Sequence, residues 1–351
     1  MKRRKLRRLI DICKLYLVVL FLCIVSLKIT LTLYGEEYLE RESFEYKKYE
    51  KEPFYLIDNI SIKVYFCPRD NCSEIFINLL NNAKSIKCLF YDLNLENISE
   101  IIKTKNNFFI GVYAKNLKSN YYGLTPINTG YVMHNKYCIL DGEVVITGST
   151  NPTYRDVSLN NNNLIVIKSK KAAEFYLNDL FSIANFSNFN NREYPKINEI
   201  LKNASFVEIS DSFNTTSIKI CFSPIQNCRN LIVETLNKSK NKIYFMTFTF
   251  TDKYVGDILA KKKKEGIVVE GIVEKKFYSR TPEVIRNSIS NDTNPYNLHH
   301  KVFLVDDNIV ITGSFNPSYN ALKNFENVVV IKSFYINNLF HDEFFMLKDN
   351  K

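Results

Sequence analysis

The 351-residue chain has no tryptophan, no histidine at ligand spacing from its close cysteine pairs, no small-residue cleavage site after its long apolar run, and little net charge beyond its first 14 residues. Each absence narrows the reading. Cysteine pairs without a neighbouring histidine argue against a zinc site. An apolar run without a cleavage site is expected to stay as an anchor rather than leave as a signal peptide. The formal net charge is +10, but residues 1–14 hold seven bases against Asp11, so only +4 remains for the rest. So mild an excess does not demand a nucleic-acid partner, although a local patch would suffice for one. The missing tryptophan accompanies abundant Asn, Lys, Ile and Tyr, a bias of genome composition rather than of function.

What is present describes a globular protein. Hydrophobic residues make up 46%, aromatics 14% and charged residues 24%, and the length allows one large domain or two, each with its own core. Residues 15–34 (LYLVVLFLCIVSLKITLTLY) carry one charge, Lys28, and have about the length that spans a hydrocarbon core as a helix. The expectation is a basic cytoplasmic tail over 1–14, a single-pass membrane anchor over 15–34, a charged stalk over 35–57, and the remainder outside the cell membrane. Six cysteines follow the anchor. The close pairs Cys67/Cys72 and Cys221/Cys228 suit either disulfides or small buried side chains.

The folded part contains an internal duplication. SIKVYFCPRDNC from Ser61 and SIKICFSPIQNC from Ser217 agree at seven of twelve positions. After each copy comes an amphipathic helix, with Ile75, Leu79 and Ala83 on one face in the first half and Ile232 and Leu236 in the second. Asn71, with Glu74 three residues on, reads as a capping box, and Asn227 has the matching place. Strand-like segments follow at 86–93 and 243–250; the second copy adds a helix ending in Lys261–Lys264 and a strand IVVEGIV. Alternating strands and helices indicate an α/β fold of two similar halves, 58–184 and 216–351, joined by an Asn- and Ser-rich linker over 185–215.

Each half carries the same polar constellation. MHNKYCILDGEVVITGSTNPT contains His134, Lys136, Asp141, Gly148, Ser149 and Asn151; LHHKVFLVDDNIVITGSFNPS contains His299, Lys301, Asp306, Gly313, Ser314 and Asn316 at the same spacing. In an extended strand, residues two apart share a face, so imidazole and ammonium project together while Tyr137, Ile139, Val302 and Leu304 pack on the other side. Cys138 is assigned to the core, on the face opposite Lys136. A turn at 141–143 or 306–308 returns the chain as a buried strand ending at Gly-Ser. There Gly148 and Gly313 permit close backbone approach, and Ser and Asn offer short polar groups to a phosphoryl oxygen. Two lysines and two asparagines converging suit a transferring phosphoryl group. The lysine run 261–264 reads as a solvated helix end.

These motifs resemble the signature of the phospholipase D superfamily, His-x-Lys-x4-Asp followed by Gly-Ser-x-Asn, and the resemblance covers most of residues 60–335. The MHNK start and the short halves look closest to the small bacterial endonuclease and mitochondrial cardiolipin hydrolase branch, where two single-motif chains pair. Here duplication would supply both halves, so the chain is expected to act as a monomer. The resemblance implies a phosphodiesterase needing neither metal nor cofactor. One histidine forms a covalent phosphohistidine while the other protonates the leaving oxygen and then activates water.

A difference between the halves bears on which histidine does which task. NFENVVVIKS places Glu326 where the family usually keeps a carboxylate beside an active-site histidine, whereas NNNNLIVIKS puts Asn162 there, with one inserted residue nearby. The expectation pairs Glu326 with His299 as general acid and leaves His134 as nucleophile, since a carboxylate neighbour raises a histidine pKa. The substrate is expected to be nucleic acid slightly ahead of phospholipid. Phospholipid hydrolysis, phosphatidyl transfer and a catalytically inactive binding module are the alternatives.

Overall fold

A computed structural model describes residues 53–117, 123–186, 204–213 and 215–349. The first half runs β1 (Phe54–Ile57), β2 (Ser61–Cys67), α1 (Cys72–Asn82), β3 (Ser85–Phe90), α2 (Asn97–Lys103), β4 (Asn107–Tyr113), β5 (Leu124–Ile127), β6 (Lys136–Leu140), β7 (Val144–Gly148), α3 (Tyr154–Ser158), β8 (Asn162–Lys168) and α4 (Lys170–Phe186). The second runs β9 (Val207–Ser210), β10 (Ser217–Ser223), α5 (Cys228–Asn237), β11 (Lys242–Thr247), α6 (Lys253–Lys264), β12 (Val268–Val273), two 3-10 segments, β13 (Ile289–Asn291), β14 (Lys301–Val305), β15 (Ile309–Gly313), a 3-10 turn Tyr319–Leu322, β16 (Glu326–Lys332) and α7 (Phe334–Asp349).

Two mixed sheets result. One has the strand order β2-β8-β7-β6-β3-β4-β5, and the other β1-β9-β10-β16-β15-β14-β11-β12-β13. All seven strands of the first sheet correspond, in the same order, to β10-β16-β15-β14-β11-β12-β13 of the second, as the duplication requires. Alternation along the motif strands splits the core: Tyr137 and Ile139 of β6, with Val302 and Leu304 of β14, enter one apolar cluster shared by both sheets, α4 and α7. The intervening residues face the outer helices, Cys138 and Leu140 towards α1 and α2, and Phe303 and Val305 towards α5 and α6. The halves therefore meet through a common hydrophobic layer, and burying it stabilises both together.

Several expectations change here. Phe54–Ile57, read as the end of the stalk, form β1, which pairs in parallel with β9, itself inside the expected linker. β1, at the edge of its sheet, alternates between half-buried and exposed positions, and β9, paired on both sides, between buried and half-buried ones. Among the described residues no helix is long and apolar enough to cross a membrane, which corrects the expected single-pass membrane location. The basic tail 1–14, the span 15–34 and most of the stalk lie outside the described residues. On α1 the most buried face is Cys72, Phe76 and Leu80, with Ile75 and Leu79 only half-buried. Asn71 is left-handed and makes no side-chain cap; its amide nitrogen donates to Glu74 instead, at 2.6 Å. Asn227 does cap its helix, accepting from Asn230 N at 3.2 Å.

Disulfides close both expected pairs, Cys67–Cys72 and Cys221–Cys228, and join Cys88 to Cys138 across β3 and β6. Cys138 is buried core as expected, but the two-residue period places it on the same strand face as Lys136, not the opposite one.

Candidate active site

Each motif histidine is hung on the backbone of the opposite half. His134 N donates to Phe325 O at 2.9 Å, and His299 N donates to Asn161 O at 2.8 Å. The residue after each of those carbonyls opens a central strand and supplies the partner for the imidazole. His134 Nδ1 lies 2.8 Å from Glu326 Oε2, and His299 Nδ1 lies 2.9 Å from Asn162 Oδ1. Both partners accept, so each imidazole carries its proton on Nδ1 and keeps Nε2 for chemistry. The imidazoles are 13% and 12% exposed, while Glu326 and Asn162 are fully buried.

This arrangement reverses the expected pairing. Glu326 serves His134, not His299, because the strand that carries it crosses beneath the other half's motif. His299 is not left without a charge, however. The carboxylate of Asp156, on the short helix α3, lies 3.7 Å from its Nδ1. Asp156 also accepts from Asn151 N and Nδ2 at 3.0 and 2.6 Å and from Asn160 Nδ2 at 2.6 Å. Burial alone would raise its pKa, but the His299 charge and these hydrogen bonds outweigh it and hold the carboxyl below its ordinary value. The equivalent position in the second half is Ala321. The anionic partner missing from the strand has thus moved to a helix, and it escaped sequence reasoning because no spacing rule links α3 to the other half's motif.

The lysines complete the cluster. Lys136 Nζ donates to His134 O at 2.8 Å, and Lys301 Nζ to His299 O at 2.7 Å. Each ammonium lies over an aromatic ring, Lys136 over Tyr91 at 5.2 Å and Lys301 over Phe248 at 5.6 Å. The same rings meet the imidazoles edge-on, with centroids 4.7 Å apart for Tyr91–His134 and 4.9 Å for Phe248–His299. Burial lowers the Lys136 pKa to about 8 despite the opposing charges of Glu326, Asp156 and Asp92. Lys301 is pushed well below its ordinary value by burial and by the charge of Lys136. Burial likewise lowers His134, partly offset by Glu326, and it lowers His299 further, with Lys301 adding and Asp156 opposing. A cluster so short of negative charge gains from an incoming phosphoryl group, whose binding raises all four pKa values.

The remaining predicted site residues divide. Asp141 and Asp306 stand at the far ends of β6 and β14, roughly 16 Å along an extended strand from the lysines. Asp141 accepts from Lys84 N and Ser85 N, and Asp306 from the backbone N–H groups of residues 240–242, so both tie the motif turn to the strand beside it. Each sits at positive φ, 54° and 51°, a conformation aspartate tolerates. Neither reaches the histidines, which corrects their expected catalytic place. Ser149 Oγ donates to Asn162 Oδ1 at 2.9 Å, bracing the partner of His299, and Ser314 Oγ accepts from Asn327 N at 2.9 Å. Both hydroxyls are fully buried, so they support the site rather than face a substrate oxygen. Asn151 is bonded to Asp156; Asn316 is half-buried, and the side-chain oxygens of both asparagines lack a hydrogen-bond partner.

Gly148 and Gly313 make this bracing feasible. At φ of 124° and 135°, a Cβ would lie 2.4 Å from Asn163 O and 2.2 Å from Asn327 O, the carbonyls that accept from Ser149 N and Ser314 N. The residue between His and Lys points the other way and grips the last helix of its own half. Asn135 Nδ2 reaches Asp179 at 3.3 Å, and His300 Nε2 lies 3.4 Å from Glu343.

Comparison with known proteins supplies the family. Residues 58–182 and 232–348 match the family model described as cardiolipin synthase, PLD-like domain, and the chain belongs to the phospholipase D superfamily. A phospholipase D of Rickettsia prowazekii is 29% identical over 150 residues, which is 41% of this chain and 71% of that protein. One from Rickettsia conorii is 30% identical over 139 residues, 38% of this chain and 68% of the relative. Among solved structures, phosphatidylserine synthase of Haemophilus influenzae shares the fold at a TM-score of 0.61 and 16% identity, over 80% of this chain and 84% of that one. The phospholipase D family member Nuc of Salmonella typhimurium is 28% identical, covering 38% of this chain and 95% of its own, at a TM-score of 0.37.

Proposed function

We propose that this protein is a phosphodiesterase that cleaves nucleic acid through a covalent phosphohistidine formed on His134. The observation that carries the choice of nucleophile is the asymmetric support of two otherwise equivalent imidazoles: His134 on the full carboxylate of Glu326, His299 on the neutral amide of Asn162 with Asp156 behind it. A carboxylate on Nδ1 keeps the Nε2 lone pair of His134 directed outward and stabilises the cationic phosphohistidine. His134 Nε2 bonds to phosphorus as the bond from phosphorus to the leaving oxygen breaks. His299, as imidazolium, donates its Nε2 proton to that oxygen. The neutral His299 then takes a proton from water as the water oxygen bonds to phosphorus and His134 departs. Lys136 and Lys301 stabilise the charged oxygens throughout. Both motifs lie in one chain, so a monomer carries the whole site.

Incubation of the purified chain with single-stranded DNA, RNA, phosphatidylcholine or cardiolipin in the presence of EDTA tests this reading. The expected result is cleavage of nucleic acid that His134→Ala/His299→Ala abolishes, with label from a phosphorus-labelled diester trapped on His134. Label on His299 would reverse the assignment, and loss of all activity in EDTA would overturn metal independence. The relatives named phospholipase D favour phospholipid as the second reading. Hydrolysis of vesicles without cleavage of DNA or RNA would establish it.

A further inference from the structure

The duplication repeats more than the motifs. Tyr131 and Tyr296 occupy equivalent positions, three residues before His134 and His299. Tyr154 and Tyr319 are likewise equivalent, three residues after Asn151 and Asn316. All four are exposed, at 57%, 39%, 62% and 49% respectively. Three residues of chain reach at most about 11 Å, so every one of these rings is rooted close to the reacting groups. Tyr154 begins α3, the helix whose Asp156 stands beside His299.

Cations lie among them. Arg155 follows Tyr154, Lys323 lies four residues beyond Tyr319, and both are exposed. The loop bearing Tyr296 is held by Lys275 Nζ on Asn294 O at 3.2 Å and by Lys276 Nζ on Asn297 Oδ1 at 2.7 Å.

Three of the exposed apolar side chains lie elsewhere. Phe334 follows β16 at the end away from Glu326, Phe213 lies in the turn before β10 at that same end, and Val268 begins β12 at the end away from Thr247. The site end thus carries exposed tyrosines and cations, with the half-buried Phe248 packed beside His299 and the half-buried Phe277 against Phe248, while these three exposed apolar side chains are remote from it. A rim that enters acyl chains favours the reverse arrangement, with fully exposed phenylalanine and aliphatic side chains around the mouth of the site. Aromatic faces interleaved with basic groups are what an unpaired nucleic-acid strand requires. Its bases are free to stack, its backbone is anionic, and stacking tolerates any base sequence.

We infer that Tyr131, Tyr154, Tyr296 and Tyr319 form a paired stacking platform that binds single-stranded nucleic acid on both sides of the scissile phosphodiester. This inference rests on the nucleic-acid reading above and adds to it a preference for unpaired strands. The test is steady-state cleavage by the full chain of a 20-residue oligothymidylate, the same strand annealed to its complement, and phosphatidylcholine–cardiolipin vesicles. The wild-type protein is expected to cleave the single strand in preference to the duplex. Tyr131→Ala/Tyr296→Ala and Tyr154→Ala/Tyr319→Ala are each expected to raise KM for the single strand about 10-fold or more, with kcat changed less. The corresponding Tyr→Phe pairs keep the stacking face and are expected to stay within about 3-fold of wild type, which a role for the hydroxyl or a folding defect would not allow. Single-strand KM unmoved in both alanine pairs, or equal cleavage of strand and duplex, overturns the platform alone. Vesicle hydrolysis by a wild-type protein that leaves the oligonucleotide intact overturns the platform and the nucleic-acid reading together.

Discussion

Asp156→Asn isolates the charge that stands in for a missing strand carboxylate. Opposite unit charges 3.7 Å apart interact by about 4 kcal/mol at an effective dielectric near 20, equivalent to roughly 3 pKa units. Burial of His299 and the charges of Lys301 and Lys136 oppose the effect, so only part of that interaction is expressed. Asp156 raises the His299 pKa, and removing its charge lowers it. If His299 is the acid, the alkaline limb of the pH profile of kcat/KM moves to lower pH. At a fixed pH above that limb, cleavage of an alkyl-linked diester falls about 10- to 100-fold. A chromogenic nitrophenyl diester, whose leaving oxygen departs without a proton, should lose less than about 3-fold. Asp156→Asn/Asn162→Asp restores an anion directly on His299 Nδ1 and should return the limb towards its original position. The reasoning is refuted if the limb does not move, or if both diesters suffer equally.

Three further outcomes are expected. Glu326→Gln removes the anion that orients His134 and should lower kcat on both diesters by about 10²- to 10⁴-fold, with circular dichroism unchanged; a nitrophenyl diester hydrolysed at the wild-type rate would contradict the assignment of His134. Burial raises the Asp179 pKa to about 7, partly opposed by the hydroxyl of Tyr137, so folding favours its protonated form and stability falls as pH climbs from about 4 through 7. Asp179→Asn should therefore abolish about 3 kcal/mol of the stability difference between pH 5 and pH 8 in urea titrations, and an unchanged slope would exclude Asp179 as its source. Cys88→Ala/Cys138→Ala opens a cross-link spanning 50 residues and should lower unfolding free energy by about 4 kcal/mol on the loop-entropy estimate. A urea midpoint no lower than that of wild type would show that the bridge adds nothing to stability.

Local order was open to sequence reasoning because it obeys short-range rules. The duplication, the strand–turn–strand hairpins of both motifs, and the Gly148 and Gly313 approaches follow from two-residue alternation and from residues that tolerate unusual backbone angles. The same rules name His134, Lys136, His299 and Lys301, since side chains two apart on one strand project together. They overreach at Asp141 and Asp306, where a shared motif suggests a shared site but a five-residue strand carries the carboxylates away to brace a turn.

Only the tertiary structure decides which groups face each other across the two halves. The shared apolar layer docks each half so that its last central strand runs beneath the other's motif, giving Glu326 to His134 and Asn162 to His299. No periodicity encodes that exchange, because it depends on packing between surfaces far apart in the chain. Asp156 beside His299 and β1 beside β9 arise the same way. The amino-acid sequence determined the paired motif side chains; the docking of the halves assigned their partners, and with them the unequal electrostatics of two histidines that local sequence makes alike.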